Sequence, residues 1–212
     1  MSDMRPDHFF SSEDVRRVNE AIASAEQATS GEIVPVVVSQ SSDYKEATYL
    51  GGIIGSILVY FITIYFRHID KPSRVLVTLA IGYLIGILLS QVPSIRRVLI
   101  GHSFSEKEVW KRAALEFQIN QIGKTAAQTG ILILVSLIER VVIVYGDKPI
   151  AEKIPQADWE DVRDRILDGL RRKRPADGLV AGIARCGEIL AGHFPRQSDD
   201  VNELPDQLIL KV

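Results

Sequence analysis

Apolar residues are spread unevenly along the 212-residue chain. From Tyr49 to Phe66 it reads YLGGIIGSILVYFITIYF, and from Val75 to Val92 VLVTLAIGYLIGILLSQV. Neither run holds a charge. Each is 18 residues long, at the short end of what crosses a hydrocarbon core as a helix. One such run alone would equally suit a buried helix of a soluble protein. Two in succession, parted only by the polar RHIDKPSR, predict a transmembrane helical hairpin over 49–92. Each run carries a Gly-x-x-x-Gly spacing, Gly51 with Gly55 and Gly82 with Gly86. That spacing puts both glycines on one helix face and lets backbones approach closely. Packing within the hairpin is the favoured reading, because the partner helix is already tethered. Homodimerisation is the alternative.

On either side of these runs the pattern switches to amphipathic elements. Phe10-Ser11-Ser12-Glu13-Asp14-Val15 predicts a helix start, with Ser11 as N-cap, Asp14 three residues on, and Phe10 and Val15 at staple positions. Val15, Val18, Ile22 and Ala25 form its apolar stripe, and Gly31 closes it. Ile33–Val38 is a wholly apolar strand, and Pro35, which cannot donate to a ladder, predicts an edge position. Beyond the apolar runs, Phe104, Ser105, Glu108 and Val109 repeat the helix-start signature. That helix carries Val109, Ala113 and Phe117 and ends near Gly130. Ile131–Leu137 and Arg140–Tyr145 predict an antiparallel hairpin closed by Gly146 and Asp147.

Two helices follow. One after Pro155 buries Trp159, Val162, Ile166 and Leu170. One from Pro175 buries Leu179, Ile183, Cys186 and Leu190 and stops at Gly192. Residues 196–212 read as a polar tail, with Leu208–Leu210 able to dock. One strand and one helix cannot make a core by themselves. Residues 9–40 and 104–195 are therefore predicted to form one discontinuous α/β domain, with the helical hairpin inserted after its first strand.

Charge and composition narrow the function classes. Lys and Arg number 25 against 27 Asp and Glu, which excludes a general nucleic-acid binder. The single cysteine, Cys186, allows no disulfide within the chain and no cysteine-based metal site. The opening MSDMRPDHFFSSEDVRR has no apolar core of a secretory signal, so none is expected. Near the span ends, Lys45, Arg96, Arg97, Lys107, Lys111 and Arg112 outnumber the connecting loop's Arg67, Lys71 and Arg74. That bias predicts a cytoplasmic soluble part.

Three segments resemble a known family. These are Thr29-Ser-Gly-Glu-Ile-Val at 29–34, the run from Thr129 through Glu139 to Asp147, and the stretch from Ile150 through Pro155 and Trp159 to Arg-Pro-Ala-Asp-Gly at 174–178. Together they look like the TPM domain family, in its bacterial membrane-protein branch, over most of residues 9–195 outside the spans. The resemblance implies a small α/β/α sandwich, often membrane-tethered, here as a multi-pass protein of the inner membrane. Some plant members are described as acid phosphatases and as photosystem repair factors, some animal members modulate ion channels, and several carry calcium in an acidic cleft near strand ends. This chain departs from the secreted members in lacking their Asp-rich lead-in.

Read bottom-up, the chemistry is lean. His8, His68, His102 and His193 show no metal-ligand spacing, and the sequence holds no Gly-rich phosphate loop and no Gly-x-Ser-x-Gly elbow. Cys186 lies on an apolar stripe, which predicts a buried, inert thiol. The Arg171–Arg174 cluster suits a helix C-terminus, with anionic headgroups as the other reading. Carboxylates that could converge lie at strand ends: Glu32, Glu139 and Asp147. A hairpin strand is roughly 20 Å long, so Glu139 and Asp147 cannot share an ion. Asp147 with Glu32 or Asp43 is the remaining set. It supports weak calcium binding at most, set against the reading of these as solvated turn residues, and no other cofactor is expected. The expected function is a membrane-tethered TPM-like module, a non-enzymatic binding or assembly and maintenance factor for a membrane complex. Its expected partners are the lipid bilayer, another membrane protein and a second copy. The alternative is a metal-dependent, phosphatase-like hydrolase.

Overall fold

The structure, a computed structural model, describes residues 5–66 and 72–211, with the backbone alone for Pro93, Arg97, His102, Ser103 and Phe104. In chain order the elements are α1 (Pro6–Phe9), α2 (Ser12–Glu26), β1 (Glu32–Val38), α3 (Lys45–Phe66), α4 (Pro72–Ser90), α5 (Pro93–Ile100) and α6 (His102–Ile119). A 3-10 turn (Ile122–Lys124), β2 (Gly130–Ser136), β3 (Val141–Gly146), α7 (Lys148–Lys153), α8 (Gln156–Arg171), α9 (Pro175–His193) and β4 (Ile209–Lys211) follow. Ser42–Ser105 form one compact unit, and the chain through Ser41 and from Glu106 onward forms the other.

The second unit is built on a mixed sheet of order β3-β2-β1-β4. β1 runs parallel to β2, from Glu32 opposite Gly130 to Val38 opposite Ser136, and β2 pairs antiparallel with β3. Every residue of β1 is buried, as expected of a strand covered on both faces. Ile33 and Val37 pack with Val18 and Ile22 of α2, Val162 and Ile166 of α8, and Leu179, Ile183, Cys186 and Leu190 of α9. Val34, Val36 and Val38 pack with Val109 and Ala113 of α6 and with Ile122. Ser11 caps α2 in a complete capping box with Asp14. Cys186 is fully buried, and burial pushes its thiol up to about 12.

Several sequence expectations are corrected. β1 is an interior strand despite Pro35. Along β1 the donors alternate: Glu32 N–H points to Thr129 of the β2 side, while Ser39 N–H points to Lys211 of the β4 side. Pro35 therefore turns its donorless nitrogen toward β4, whose ladder covers only Val36–Val38. The proline falls just below the paired stretch, so it costs no bond. The expected polar tail supplies β4, and Lys211 forms an ion pair with the fully buried Glu116, which Arg112 also meets at 2.9 Å. α6 begins before Ser105, whose N–H already bonds to Gly101 O. It ends at Ile119, well short of Gly130. α2 ends at Glu26, ahead of Gly31. The short helices α1, α5 and α7 carry too little periodicity to be read from sequence.

The Ser42–Ser105 unit is a pair of long apolar helices, α3 and α4, followed by α5. Residues 67–71 lie outside the described residues, and with them Arg67, His68 and Lys71. The four glycines meet across the α3–α4 seam. A side-chain carbon at Gly55 would stand 2.7 Å from Gly86 Cα, and one at Gly82 would stand 2.7 Å from Gly55 O. At Gly51 it would lie 3.1 Å from Gly86 O, and at Gly86 it would strike Gly51 O. Ser56 Oγ donates to Leu79 O at 3.0 Å across the same seam. The outer faces carry Phe61 at 64% exposure, Leu84 at 61% and Leu88 at 70%.

Candidate functional site

The head of β1 is tied down by Thr29-Ser30-Gly31-Glu32. Thr29 Oγ1 donates to Phe194 O at 2.6 Å and accepts from Gly31 N–H at 3.1 Å. Thr129 Oγ1 donates to Ser30 O at 2.6 Å. A side chain at Gly31 would meet the Leu190 methyl groups, Cδ1 at 2.9 Å, where β1 passes α9. This knot joins the start of β1, the start of β2 and the end of α9.

Beside the knot opens a cleft of about 200 Å³, between the last turn of α2, the head of β1 and the C-terminal segment. Glu26, Glu32, Asp200 and Asp206 line it together with Arg196 and Asn202. Glu32 is buried, and its two carboxylate oxygens accept from Glu203 N–H at 3.1 Å and Leu204 N–H at 3.2 Å. Glu26 Oε1 accepts from Ile33 N–H at 2.7 Å. It takes the place of a strand carbonyl where β4 does not reach. Its Oε2 is buried and has no hydrogen-bond partner among the described residues. Asn202 donates to Asp206 at 2.6 Å, and Arg196 lies 3.6 Å from Asp200.

Crowding carboxylates in a half-closed cleft disfavours their charged forms. Burial pushes Glu26 up to about 9, with the charges of Glu32 and Asp206 adding to it, so Glu26 is protonated at neutral pH. Burial also raises Glu32, against the two backbone donors that pull it down. The cleft thus gathers four carboxyl groups, partly neutralised by burial, beside the single cation Arg196. Among the described residues no group of three or more His, Cys, Asp or Glu is arranged to hold a metal ion.

The strand-end carboxylates named from sequence lie apart. Asp147 stands just before α7 without a side-chain capping bond, and its N–H donates to Gly130 O at 3.0 Å. Its Oδ2 is buried without a hydrogen-bond partner among the described residues, and burial raises its carboxyl. Asp147 and Glu32 share one end of the sheet but flank β2 from opposite sides. Two strand spacings, roughly 10 Å, separate their backbones. Asp43 belongs to the Ser42–Ser105 unit, where its carboxylate lies 3.9 Å from Lys45. Glu139 pins the hairpin turn, accepting from Ser41 N–H at 2.8 Å and Ser136 Oγ at 2.6 Å. Glu26, Asp200, Asp206 and Arg196 were not singled out from sequence. The only signal was the density of acids in the final segment, which reads equally well as a solvated tail.

Residues 95–189 match the family model of the TPM domain. The NMR structure of the BA42 protein from the psychrophilic bacterium Bizionia argentinensis is similar to this chain, with a TM-score of 0.62, 23% identity and 100% of each chain covered. That is a likeness of fold. A comparison with curated proteins finds no match. The hairpin and closing-helix motifs fall within the matched residues 95–189, which are similar to a TPM domain.

Proposed function

We propose that this protein is a membrane-anchored TPM module that acts by binding, as an assembly or maintenance factor for another membrane complex. The observation that carries the reading is the hairpin, which closes on glycines and turns its large side chains outward. α3 and α4 have 22 and 19 residues, about 33 and 29 Å at 1.5 Å per residue, against a hydrocarbon core of roughly 30 Å. Each large apolar side chain left in water forgoes about 1.5–3 kcal/mol of burial. A hairpin that exposes Phe61, Leu84, Leu88 and their neighbours is matched by lipid. Binding is preferred to catalysis because Glu32 and Glu26 spend oxygens on backbone donors. The charge bias at the span ends favours a cytoplasmic domain. The expected result is a chain that stays in membranes after alkaline carbonate washing and is released only by detergent. A periplasm-dependent reporter should be silent at the C-terminus and active in the 67–74 loop. Release by carbonate would refute the anchor, and the reverse reporter pattern would refute the orientation.

One observation favours the hydrolase reading: Glu26, Glu32, Asp200 and Asp206 line one cleft. A phosphatase built there would need cations to offset that charge. Calorimetric titration of the detergent-solubilised chain with calcium decides it, with Glu32→Gln and Asp147→Asn as controls. Binding reads as no heat at millimolar calcium. Tight binding lost in Glu32→Gln and kept in Asp147→Asn would favour the hydrolase.

A further inference from the structure

The apolar part of α3, Tyr49 to Phe66, is 18 residues, or about 27 Å. That falls a few ångströms short of a core of roughly 30 Å. At its lower end sits α5, eight residues that start three positions after the last residue of α4. Leu99 Cδ1 of α5 lies 3.3 Å from where a Gly51 side chain would begin. Gly51 is two residues inside Tyr49, so α5 is level with the boundary of the apolar stretch. Leu99 faces the hairpin, whereas Val98 is 81% exposed and Ile95 and Val92 are also exposed. An apolar edge at that height does not belong in water.

Two further features fix how α5 is held and what would meet it. The Arg96 guanidinium donates to Asp43 O and lies over the Tyr44 ring, 5.9 Å from its centroid, fastening α5 to the chain entering α3. From Lys71 to Ser105 the sequence contains no Asp or Glu, while Arg96 and Arg97 sit in α5 itself. α5 itself therefore carries only positive charge, and the nearby Asp43 carboxylate lies 3.9 Å from Lys45.

We propose that α5 is an interfacial helix that lies in the headgroup layer beside the hairpin, with Val98 and Ile95 dipping into the acyl boundary and the net positive charge of α5 drawing anionic lipid. This rests on the membrane anchor proposed above. The lipid surface is the occupant because α5 continues the hairpin at the height where hydrocarbon ends, and its charge complements anionic headgroups.

The test uses the full chain with an environment-sensitive dye on a single introduced cysteine. Cys186 is fully buried, so labelling is selective. Val98→Cys is compared with Leu84→Cys, on the outer face of α4, and Asp199→Cys, in the exposed C-terminal segment. The proteins are reconstituted into phosphatidylcholine vesicles with and without phosphatidylglycerol, using lipids brominated near either end of the acyl chain. At Val98 we expect a blue-shifted emission, quenched more by bromines near the headgroup end than near the methyl end, and shifted further with phosphatidylglycerol. At Asp199 no quenching is expected. Quenching at Leu84 with a water-like, unquenched Val98 would overturn the interfacial helix alone. No quenching at Leu84 would overturn the anchor beneath it. A Val98 signal indifferent to phosphatidylglycerol would overturn the anionic preference.

Discussion

A single added side chain at Gly55 should open the helical hairpin. In Gly55→Val, the new Cβ would meet Gly82 O, Gly86 Cα at 2.7 Å and Gly86 N at 2.9 Å. All three are backbone atoms, so no rotamer change relieves the clash. Carbon atoms rest about 3.5–4.0 Å apart, so the helices must part by about 1 Å. A gap of that size forfeits a quarter to a half of each contact's attraction. It also stretches the Ser56–Leu79 hydrogen bond, 3.0 Å in the native seam, beyond bonding distance. Overpacking costs about 1–3 kcal/mol, and an interhelical hydrogen bond in a membrane is worth roughly 0.6 kcal/mol. The expected loss is about 2–3 kcal/mol, a factor of roughly 30–150 in the open-to-closed ratio. The assay is energy transfer between dyes on cysteines replacing the exposed Leu58 and Val77, followed as sodium dodecyl sulfate is raised in mixed micelles. The Gly55→Val midpoint should fall well below that of Ile62→Val, a substitution on the exposed outer face. An unchanged midpoint would refute the seam. If cross-linking between copies fell instead, the glycines would serve homodimerisation.

Glu26→Gln should flatten the pH dependence of the α/β unit's stability. Glu26 holds its proton in the folded chain up to about 9 and in the unfolded chain loses it near 4.3. The folded state therefore binds more protons between these values, and the native unit loses stability as pH rises through that window. The full shift would amount to roughly 6 kcal/mol. Solvent in the open cleft and relaxation of the neighbouring carboxylates reduce this to about 2 kcal/mol. Trp110 and Trp159 both lie in this unit, so urea titrations followed by their fluorescence at pH 5 and pH 8.5 read it directly. A slope as steep in the variant as in the native chain would exclude Glu26 as its source. Deleting residues 203–212 removes β4, the buried Leu208 and the Lys211 partner of Glu116. Burial of one leucine is worth about 2 kcal/mol and an under-satisfied buried carboxylate costs about 1–3 kcal/mol, so thermal unfolding should show a loss of roughly 3–5 kcal/mol. An unchanged melting temperature would mean that β4 contributes nothing. Replacing residues 42–105 by a short Gly/Ser linker should leave a soluble, folded unit, because both sides of its sheet are covered by its own helices. A molten circular dichroism spectrum would refute its independence.

What the sequence determined by itself is whatever depends on local period and local chemistry. Two charge-free runs define two long helices, and the α2 capping box is complete within four residues. The β2–β3 hairpin follows because only a tight turn joins two apolar runs, and the apolar stripe of α9 buries Cys186. The TPM motifs are legible for the same reason, being short runs with their own strand and turn signals. What the tertiary structure decided depends on pairing at a distance. Pro35 reads as an edge residue until β4, arriving from more than 170 positions away in sequence, pairs with only the upper half of β1. The acids of the final segment read as a solvated tail until Glu32 accepts two of that segment's backbone donors and folds it over Glu26. The acidic cleft thus has no sequence signature of its own. Its carboxylates converge only after the last strand has docked, and burial rather than residue type then sets which of them keeps its proton.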